Sequence, residues 1–249
     1  MLERIENRTI LRVTGKDRVE FLQNLVTNDV RGIDRGIVYA ALLTPQGKYL
    51  ADFFLVPAGD AILLDVASSL APGLARRLAM YRLRADVTIE HAELHVSRGL
   101  GAVQDRAFAD PRHPALGWRL YAREPGDDPI TDWDAIRVKH CIPEAGTELV
   151  PEDSYILECG FERLHGVDFR KGCYVGQEVT ARMKHKTELR KGLATVAVTG
   201  DAEPGAEITA DGKPVGRLCT RAGGRAIAYL RFDRALGPMR AGDATIELT

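Results

Sequence analysis

The chain carries the run KGCYVGQE at residues 171–178, where one thiol stands among charged and amide side chains and two glycines. A thiolate forms near neutral pH beside positive charge or at a helix N-terminus. Arg170 and Lys171 supply charge. The segment from Gln177 to Lys186 lacks Gly and Pro, which predicts a short helix whose first amides point back at Cys173. The run therefore favours a reactive Cys173 over a cysteine that only fills space.

The same run resembles the signature of the YgfZ-type folate-binding proteins, relatives of the glycine-cleavage T-protein that support iron–sulfur enzymes. Further stretches that share the resemblance are FLQNLVTND at 21–29, LTPQGK at 43–48, YRLRA at 81–85, IPE at 142–144 and EVTAR at 178–182. The resemblance implies an α+β protein with the T-protein-like folate-binding fold. In that fold two α+β lobes are followed by a small C-terminal antiparallel β-barrel.

The size and composition are those of a soluble globular protein. With 249 residues and 45% hydrophobic content, the chain can bury a core in one large domain or two to three small ones. Its longest apolar stretches, such as 53–56 and 61–64, are far shorter than the roughly 20 residues of a membrane-spanning helix, so no membrane span is expected. The first six residues contain early acids and no apolar core, which predicts no targeting peptide and a cytoplasmic location.

Charge is distributed unevenly along the chain. The formal net charge is only −1, which argues against a protein that coats nucleic acid. Between residues 161 and 191, eight Lys or Arg residues stand against four acidic ones, a local net charge of +4. This stretch could receive a folate glutamate tail, an RNA phosphate or an acidic partner protein, or be a solvated charged face.

The four cysteines do not form a metal-binding pattern. Cys141, Cys159, Cys173 and Cys219 contain no CxxC spacing, and the six histidines are not arranged as a ligand set. The sequence therefore predicts no metal site. Cys141, Cys159 and Cys219 are interpreted as packing residues, because a cytosolic chain keeps its thiols reduced.

Hydrophobic periodicity predicts the order of elements. A helix is expected over Lys16–Thr27, three strands over 37–43, 49–56 and 61–66 should form an antiparallel meander, and a second helix should end near Tyr81. After Lys191 many short strand-like runs alternate with glycine turns, which predicts the small barrel. We expect two domains, a T-protein-like region at 1–188 and the barrel at 189–249.

A folate pocket needs apolar walls, an amide or carboxylate, and a cation. The candidates that the resemblance suggests for tetrahydrofolate are Asn28, Asp52, Arg84, Tyr174, Gln177, Glu178 and Arg182. Several have a structural alternative: Asn28 as a helix C-cap, Asp52 as an exposed strand residue, Arg84 as a surface charge, Gln177 and Glu178 as helix N-terminal residues, and Arg182 as the helical partner of Glu178.

Three functions are compatible with these features. The favoured one is a tetrahydrofolate-binding, monomeric factor for assembly or repair of [4Fe–4S] enzymes, including tRNA-modifying ones, with Cys173 as working thiol and Lys171 as its activator. Its partners would be iron–sulfur assembly proteins and client enzymes. The second is a folate-dependent aminomethyltransferase, disfavoured because Ala51 stands where the T-protein pattern has the first of two aspartates. The third is an RNA-binding tRNA-modification factor, for which the sequence offers no motif.

Overall fold

The computed structural model describes residues 1–185 and 188–249, and within them the chain divides into two compact units. The first comprises Met1–Ile130 and Glu162–Val179, and the second comprises Thr131–Phe161 and Thr180–Thr249. Each unit is therefore built from two separate stretches of chain. The two domains expected from the sequence, 1–188 and 189–249, are each one continuous stretch of chain. They stay a prediction.

The α-helices are Arg18–Gln23 (α1), Ala71–Arg82 (α2), Trp133–Lys139 (α3) and Gln177–His185 (α4). The strands of the first unit are Glu3–Arg4 (β1), Arg8–Thr14 (β2), Val38–Leu43 (β3), Tyr49–Ala58 (β4), Ala61–Ala67 (β5), Thr88–Ala92 (β6), His95–Gly99 (β7), Phe108–Ala109 (β8) and Trp118–Ala122 (β9). Those of the second are Lys191–Thr199 (β10), Glu207–Ala210 (β11), Lys213–Ala222 (β12), Arg225–Arg231 (β13), Met239–Ala241 (β14) and Ala244–Leu248 (β15). The last residue of the helix predicted near 177–186, Lys186, lies outside the described residues.

The first unit is organised around a five-stranded antiparallel sheet with strand order β3-β4-β5-β2-β6. The predicted meander of three strands is confirmed as β3, β4 and β5. Strand β2 was not predicted, because its apolar residues at 10, 11 and 13 do not alternate strictly, Arg12 interrupts them, and the strand runs directly into the Thr14 helix-start pattern. It pairs with β5 on one side and with β6 on the other.

One face of this sheet is covered by α1 and α2. Ala51, Phe53 and Leu55 of β4 pack there with Leu22 of α1 and Leu78 of α2 in a continuous apolar core. Burial of this apolar surface is the main term that stabilises the unit.

The opposite face of the sheet meets a second sheet, with order β1-β7-β9-β8, through a buried charged layer. Arg119 of β9 donates from Nη2 to Asp65 Oδ2 of β5 at 2.6 Å, and Arg8 of β2 donates from Nε to Asp65 Oδ1 at 2.5 Å. The Arg119 guanidinium also lies 4.1 Å from the centroid of the Phe54 ring. Asp65 is fully buried, and its charge is compensated by these two arginines, while the Tyr121 hydroxyl donates a further hydrogen bond to its carboxylate.

The first helix is shorter than predicted. It begins at Arg18 and ends at Gln23, whereas the periodicity predicted Lys16–Thr27. Asp17 makes no side-chain cap, and its carboxylate instead accepts from the backbone N–H of Asp86. Beyond the helix, the Thr27 N–H donates to the Ala41 carbonyl of β3, so the last predicted turn is replaced by contact with the sheet.

The second unit consists of α3, the loops around it and a closed six-stranded barrel with order β10-β13-β12-β11-β14-β15. The predicted small barrel is confirmed, and its interior is apolar. Arg137 of α3 is nearly buried, and its guanidinium contacts Glu148 at 2.6 Å and Glu144 at 3.1 Å. Arg137 therefore orients the loop that follows α3.

None of the described helices has the length and apolar character that crossing a membrane requires. Among residues 1–185 and 188–249, no cluster of three or more His, Cys, Asp or Glu side chains is placed to hold a metal ion.

Candidate functional site

Cys173 lies on an exposed loop of the first unit, four residues before α4 begins. The other cysteines are placed differently. Cys159 and Cys219 are buried, and burial raises the pKa of their thiols to about 12 and about 11. A protonated, buried thiol neither attacks nor ligates. The exposed loop therefore sets Cys173 apart.

The Cys173 loop is anchored by a reciprocal pair of contacts between Lys171 and α1. The Lys171 ammonium donates to the backbone carbonyls of Gln23 and of Val26, the latter at 2.9 Å. In return, Gln23 Nε2 donates to the Lys171 carbonyl at 3.2 Å, while Gln23 Oε1 accepts from the Val30 N–H at 2.7 Å. The Gln23 side chain is 2% exposed, so these groups have no access to water as a substitute partner.

The environment of the Lys171 ammonium lowers its pKa to about 8. Burial is the largest cause, and Asp29, Asp168 and a Cys173 thiolate oppose it by attraction. The ammonium also lies 5.0 Å from the centroid of the Tyr174 ring. Lys171 thus holds the loop in place. Its ammonium binds the Gln23 and Val26 carbonyls and also interacts electrostatically with Cys173.

Two glycines allow the loop to pack against the β3–β4 turn. Gly176 has φ +83°, and a Cβ at this position would lie 2.5 Å from the Thr44 carbonyl oxygen. Gly47 has φ +74°, and a Cβ there would lie 2.8 Å from Cβ of Val179. The runs LTPQGK and KGCYVGQE are therefore brought into contact through glycines, where no larger residue fits.

The segment just before the loop is tied to the same region. Asn28 Nδ2 donates to the His165 carbonyl at 2.7 Å and to the Tyr39 carbonyl at 2.8 Å. Thr27 Oγ1 donates to the Gly166 carbonyl at 2.7 Å. The structural alternative for Asn28, a C-cap of α1, is wrong, because the helix ends at Gln23 and its C-cap is Asn24. Both amide hydrogens of Asn28 are used, so only its carbonyl oxygen has capacity left for a ligand.

The remaining predicted residues near the thiol lie on the loop and on α4. Tyr174 is buried, and its N–H donates to Oε1 of Gln177 at 3.1 Å. Glu178 and Arg182 are exposed on α4. Within the described residues no ion pair joins them, although their spacing had suggested one.

Asp52 lies in a buried cluster with two tyrosines. It is 4% exposed, its Oδ2 accepts from the Tyr39 hydroxyl at 2.9 Å, and its Oδ1 accepts from the Tyr49 hydroxyl at 2.6 Å. Burial and the neighbouring carboxylate raise the pKa of both tyrosines, so they act as neutral donors. The interpretation of Asp52 as an exposed strand residue is wrong, because β4 is covered on both faces.

Arg84 is not part of this cluster. It is exposed in the turn after α2, the helix that covers the apolar face of the sheet, whereas Asp52 points to the other face. Asp52 and Arg84 therefore lie on opposite sides of the sheet, and the role of Arg84 in folate binding stays a prediction.

Sequence reasoning missed the residues that support the site, namely Gln23, Thr27, Tyr39 and Tyr49. Gln23 and Thr27 are polar residues inside the apolar run FLQNLVTND, and both are buried. A polar side chain at a core position of an apolar pattern was the available signal, because buried polar groups need specific partners.

The chain is similar to known proteins both in its C-terminal barrel and over nearly its whole length. Residues 190–249 match the model of the CAF17 C-terminal β-barrel domain. The chain is 32% identical to the human protein named iron-sulfur cluster assembly factor IBA57, mitochondrial. The alignment extends over 280 residues and covers 95% of this chain and 79% of the human protein. This chain belongs to the IBA57 family. The IBA57 homolog of Mycosarcoma maydis is also 32% identical, over 79% of this chain and 57% of its own length.

The fold is shared with a solved structure, that of the glycine cleavage system aminomethyltransferase T from Bartonella henselae. It superposes with a TM-score of 0.78 over 100% of this chain and 84% of that one, at 13% sequence identity. The family resemblance and the T-protein-like fold predicted from the signature are thus confirmed.

The predicted cytoplasmic location is wrong by the same comparison, since the IBA57 proteins of human, mouse and M. maydis are all named mitochondrial. The prediction rested on the composition of the first six residues. The structure places Glu3 and Arg4 in β1, so that composition describes a folded strand and carries no information on location.

Proposed function

We propose that this chain is an iron–sulfur cluster assembly factor in which Cys173 is the thiol that ligates iron during cluster transfer. The observation that carries the proposal is an exposed cysteine on an anchored loop. Lys171 and Gln23 join this loop to α1, and Gly176 packs it against the β3–β4 turn. Membership of the IBA57 family supports the assembly role, because its human and fungal members are named assembly factors.

The chemistry is a ligand exchange without net oxidation. The Cys173 thiol releases its proton to solvent, and the sulfur bonds to an iron of the incoming cluster as another ligand leaves. A cluster takes about four protein ligands. One exposed thiol cannot hold it alone, so thiols of a partner protein supply the others. The cluster is cargo, and passing it on returns the thiol to the free state.

Lys171 supports this role by position and charge. Its ammonium fixes the backbone two residues before Cys173, and it places a positive charge in the region where a thiolate would bind iron. Arg or Met at this position would not reproduce a compact ammonium that reaches the carbonyl of Gln23, at the end of α1, and that of Val26 beyond it.

The test is complementation of cells that lack the protein, with aconitase and tRNA-modifying [4Fe–4S] enzymes as readouts. We expect wild type to restore activity and Cys173→Ala to fail at equal protein level. Cys219→Ala is the matched control, because its thiol is buried in the barrel unit, and it should restore activity if it folds. Full restoration by Cys173→Ala would refute the proposal.

We also propose tetrahydrofolate as a ligand of the first unit, with support from the T-protein-like fold and the signature resemblance. The carboxylate of Asp52 suits the N–H groups on a pterin edge, and each of its oxygens keeps a second lone pair beside its tyrosine bond. Asp52 is nearly buried, so the fit requires the cluster to open toward the ligand.

Calorimetric titration with tetrahydrofolate tests this second proposal. We expect saturable binding by the wild-type protein and at least tenfold weaker binding by Asp52→Asn. Asp60→Asn is the control, since Asp60 pairs with Arg12 at the exposed β4–β5 turn. Equal binding by wild type and Asp52→Asn would exclude Asp52 from the site.

A further inference from the structure

The turn that follows α2 holds a leucine in an unfavourable and exposed conformation. The Ala85 N–H donates to the Arg82 carbonyl at 2.8 Å, which closes a β-turn over Arg82–Ala85. Leu83, at its first central position, has φ +44° and ψ −105°. Turns with this geometry strongly prefer glycine there, because a Cβ crowds the backbone.

The same leucine is 88% exposed, and Met80 beside it is 67% exposed. Met80 lies four residues after Arg76, on the side of α2 opposite to Leu74 and Leu78, which pack in the core. The strained backbone of Leu83 costs free energy, and its exposed side chain recovers little of that cost through apolar burial. Such backbone outliers point from observation to function.

Arginines surround these two apolar side chains. Residues 71–85 contain four arginines, Arg76, Arg77, Arg82 and Arg84, and no acidic residue, whereas the whole chain has a net charge of −1. Across the described part of the chain, none of the four has a carboxylate within ion-pair distance. Three of them are exposed, and Arg77 is half-buried.

We infer that the α2 tip surface, formed by Arg76, Met80, Leu83 and Arg84, docks a partner protein that presents carboxylates around a small apolar pocket. Arginine pairs with carboxylates through two parallel hydrogen bonds, and an apolar anchor in a pocket supplies the central contact of many interfaces. The charge excess of the surface selects an acidic partner and speeds encounter with it.

Two other occupants fit the surface less well. Proteins that bind single-stranded RNA stack bases on exposed aromatic rings, but the one aromatic residue in 71–85, Tyr81, packs against the core. A helix that lies on a membrane buries a long apolar face, whereas here only Met80 and Leu83 are exposed and apolar apart from alanine and proline.

The test begins with a photo-crosslinking amino acid at position 83 of the full chain in cells, and at position 103 as the control. Val103 is another exposed apolar residue, 50% exposed. A crosslinked band that forms from position 83 and not from position 103 identifies a candidate partner but does not by itself support the inference. That protein is then purified, and its Kd is measured for wild type, Leu83→Gly, Arg84→Glu and Val103→Gly at two salt concentrations.

Leu83→Gly is the decisive variant, because glycine relieves the strain while it removes the anchor. We expect an unfolding temperature equal to or above that of wild type and a Kd at least tenfold weaker. Arg84→Glu should weaken binding tenfold, with recovery when a partner carboxylate is changed to arginine, and Val103→Gly should bind as wild type does.

Three results would overturn the inference: no crosslink specific to position 83, wild-type affinity of Leu83→Gly, or saturable binding of a 20-nucleotide RNA or of phosphatidylglycerol vesicles that Leu83→Gly abolishes. The inference goes beyond the proposed role of Cys173. The crosslinking and affinity readouts do not involve the thiol, so each proposal can fail while the other stands.

Discussion

The Lys171 ammonium donates to the backbone carbonyl of Gln23, and the Gln23 side-chain amide donates back to the carbonyl of Lys171. The two residues are 148 positions apart in the sequence. This pair joins the end of α1 to the loop of Cys173, so the position of the thiol depends on a residue in the N-terminal part of the chain. Gln23→Met retains the length of the side chain but removes both of its hydrogen bonds.

Gln23→Met is expected to lower the free energy of unfolding by about 1–3 kcal/mol, because the buried Val30 N–H loses its acceptor. Amide hydrogen exchange at residues 171–174 should become faster, since the Lys171 carbonyl loses the hydrogen bond from Gln23 Nε2, while the bonds of the Lys171 ammonium to the Gln23 and Val26 carbonyls still join the two segments. Urea unfolding and exchange mass spectrometry measure both effects. Asn24→Met, at an exposed amide next in the chain, should change stability by less than about 0.5 kcal/mol. Equal effects of the two variants would contradict the anchoring role of Gln23.

Gly176→Ala and Gly172→Ala should differ although both glycines have positive φ. At Gly172 a Cβ meets nothing within 4 Å, so alanine costs only backbone strain, about 1–2 kcal/mol. At Gly176 the Cβ would also meet the Thr44 carbonyl at 2.5 Å, which forces the loop away from the β3–β4 turn. Thermal unfolding should therefore show the larger loss for Gly176→Ala. The opposite order would mean that the loop and the turn are not in contact.

The four thiols should react with iodoacetamide in an order set by exposure. At pH 7.5 we expect Cys173 to be labelled first, while Cys159 and Cys219 stay unlabelled, because burial raises their pKa to about 12 and about 11. Peptide mass spectrometry over time measures the order. In 6 M guanidinium all four should react at similar rates, and early labelling of Cys159 in the folded protein would contradict the structure.

The buried Asp65 layer should make the protein sensitive to acid. Burial raises the pKa of Asp65, but Arg8 and Arg119 outweigh it, so the pKa lies below the ordinary value. As the pH falls below about 4, the unfolded state takes up the proton first, and the free energy of unfolding decreases. Denaturant unfolding between pH 7 and pH 3 should show this decrease in wild type, with a smaller slope for Asp65→Asn.

Asp65→Asn should also destabilise the protein at pH 7 by about 3–5 kcal/mol, because Arg8 and Arg119 lose their shared carboxylate and, of its described carboxylate contacts, Arg119 keeps only the longer one with Asp110 at 3.5 Å. The exposed pair of Arg12 and Asp60 provides the control, and Asp60→Asn should cost at most about 1 kcal/mol. A similar loss for both variants would show that the layer is not a buried charge network.

Several features of the fold followed from local patterns. The meander β3–β4–β5, helix α2 and the barrel strands each have their own periodicity and turn residues, so short windows of sequence predict them. Helix α1 was predicted too long because its last apolar residues, Leu25 and Val26, do continue the helical spacing. They are buried against the sheet outside the helix, and spacing alone cannot distinguish the two arrangements.

The site was predicted less completely than the fold. The signature predicted a reactive Cys173 with Lys171 as its activator. The structure shows Cys173 exposed and the Lys171 ammonium bonded to the carbonyls of Gln23 and Val26, and the reactivity of the thiol stays a prediction. Asp52 was predicted as a folate ligand or an exposed strand residue. Its tyrosine partners were not predicted, because Tyr39 comes from a different strand and Tyr49 from the start of its own strand.

By itself, the sequence determined the family, the order of most elements and the identity of the one cysteine set among glycines and charges, because each of these is written in contiguous residues. Only the tertiary structure decided that Gln23 holds Lys171, that Gly47 meets the loop through Gly176, and that Asp52 is buried. Such contacts join residues distant in sequence, and a hydrogen bond or a close approach depends on where the whole chain places two groups, which no local pattern encodes.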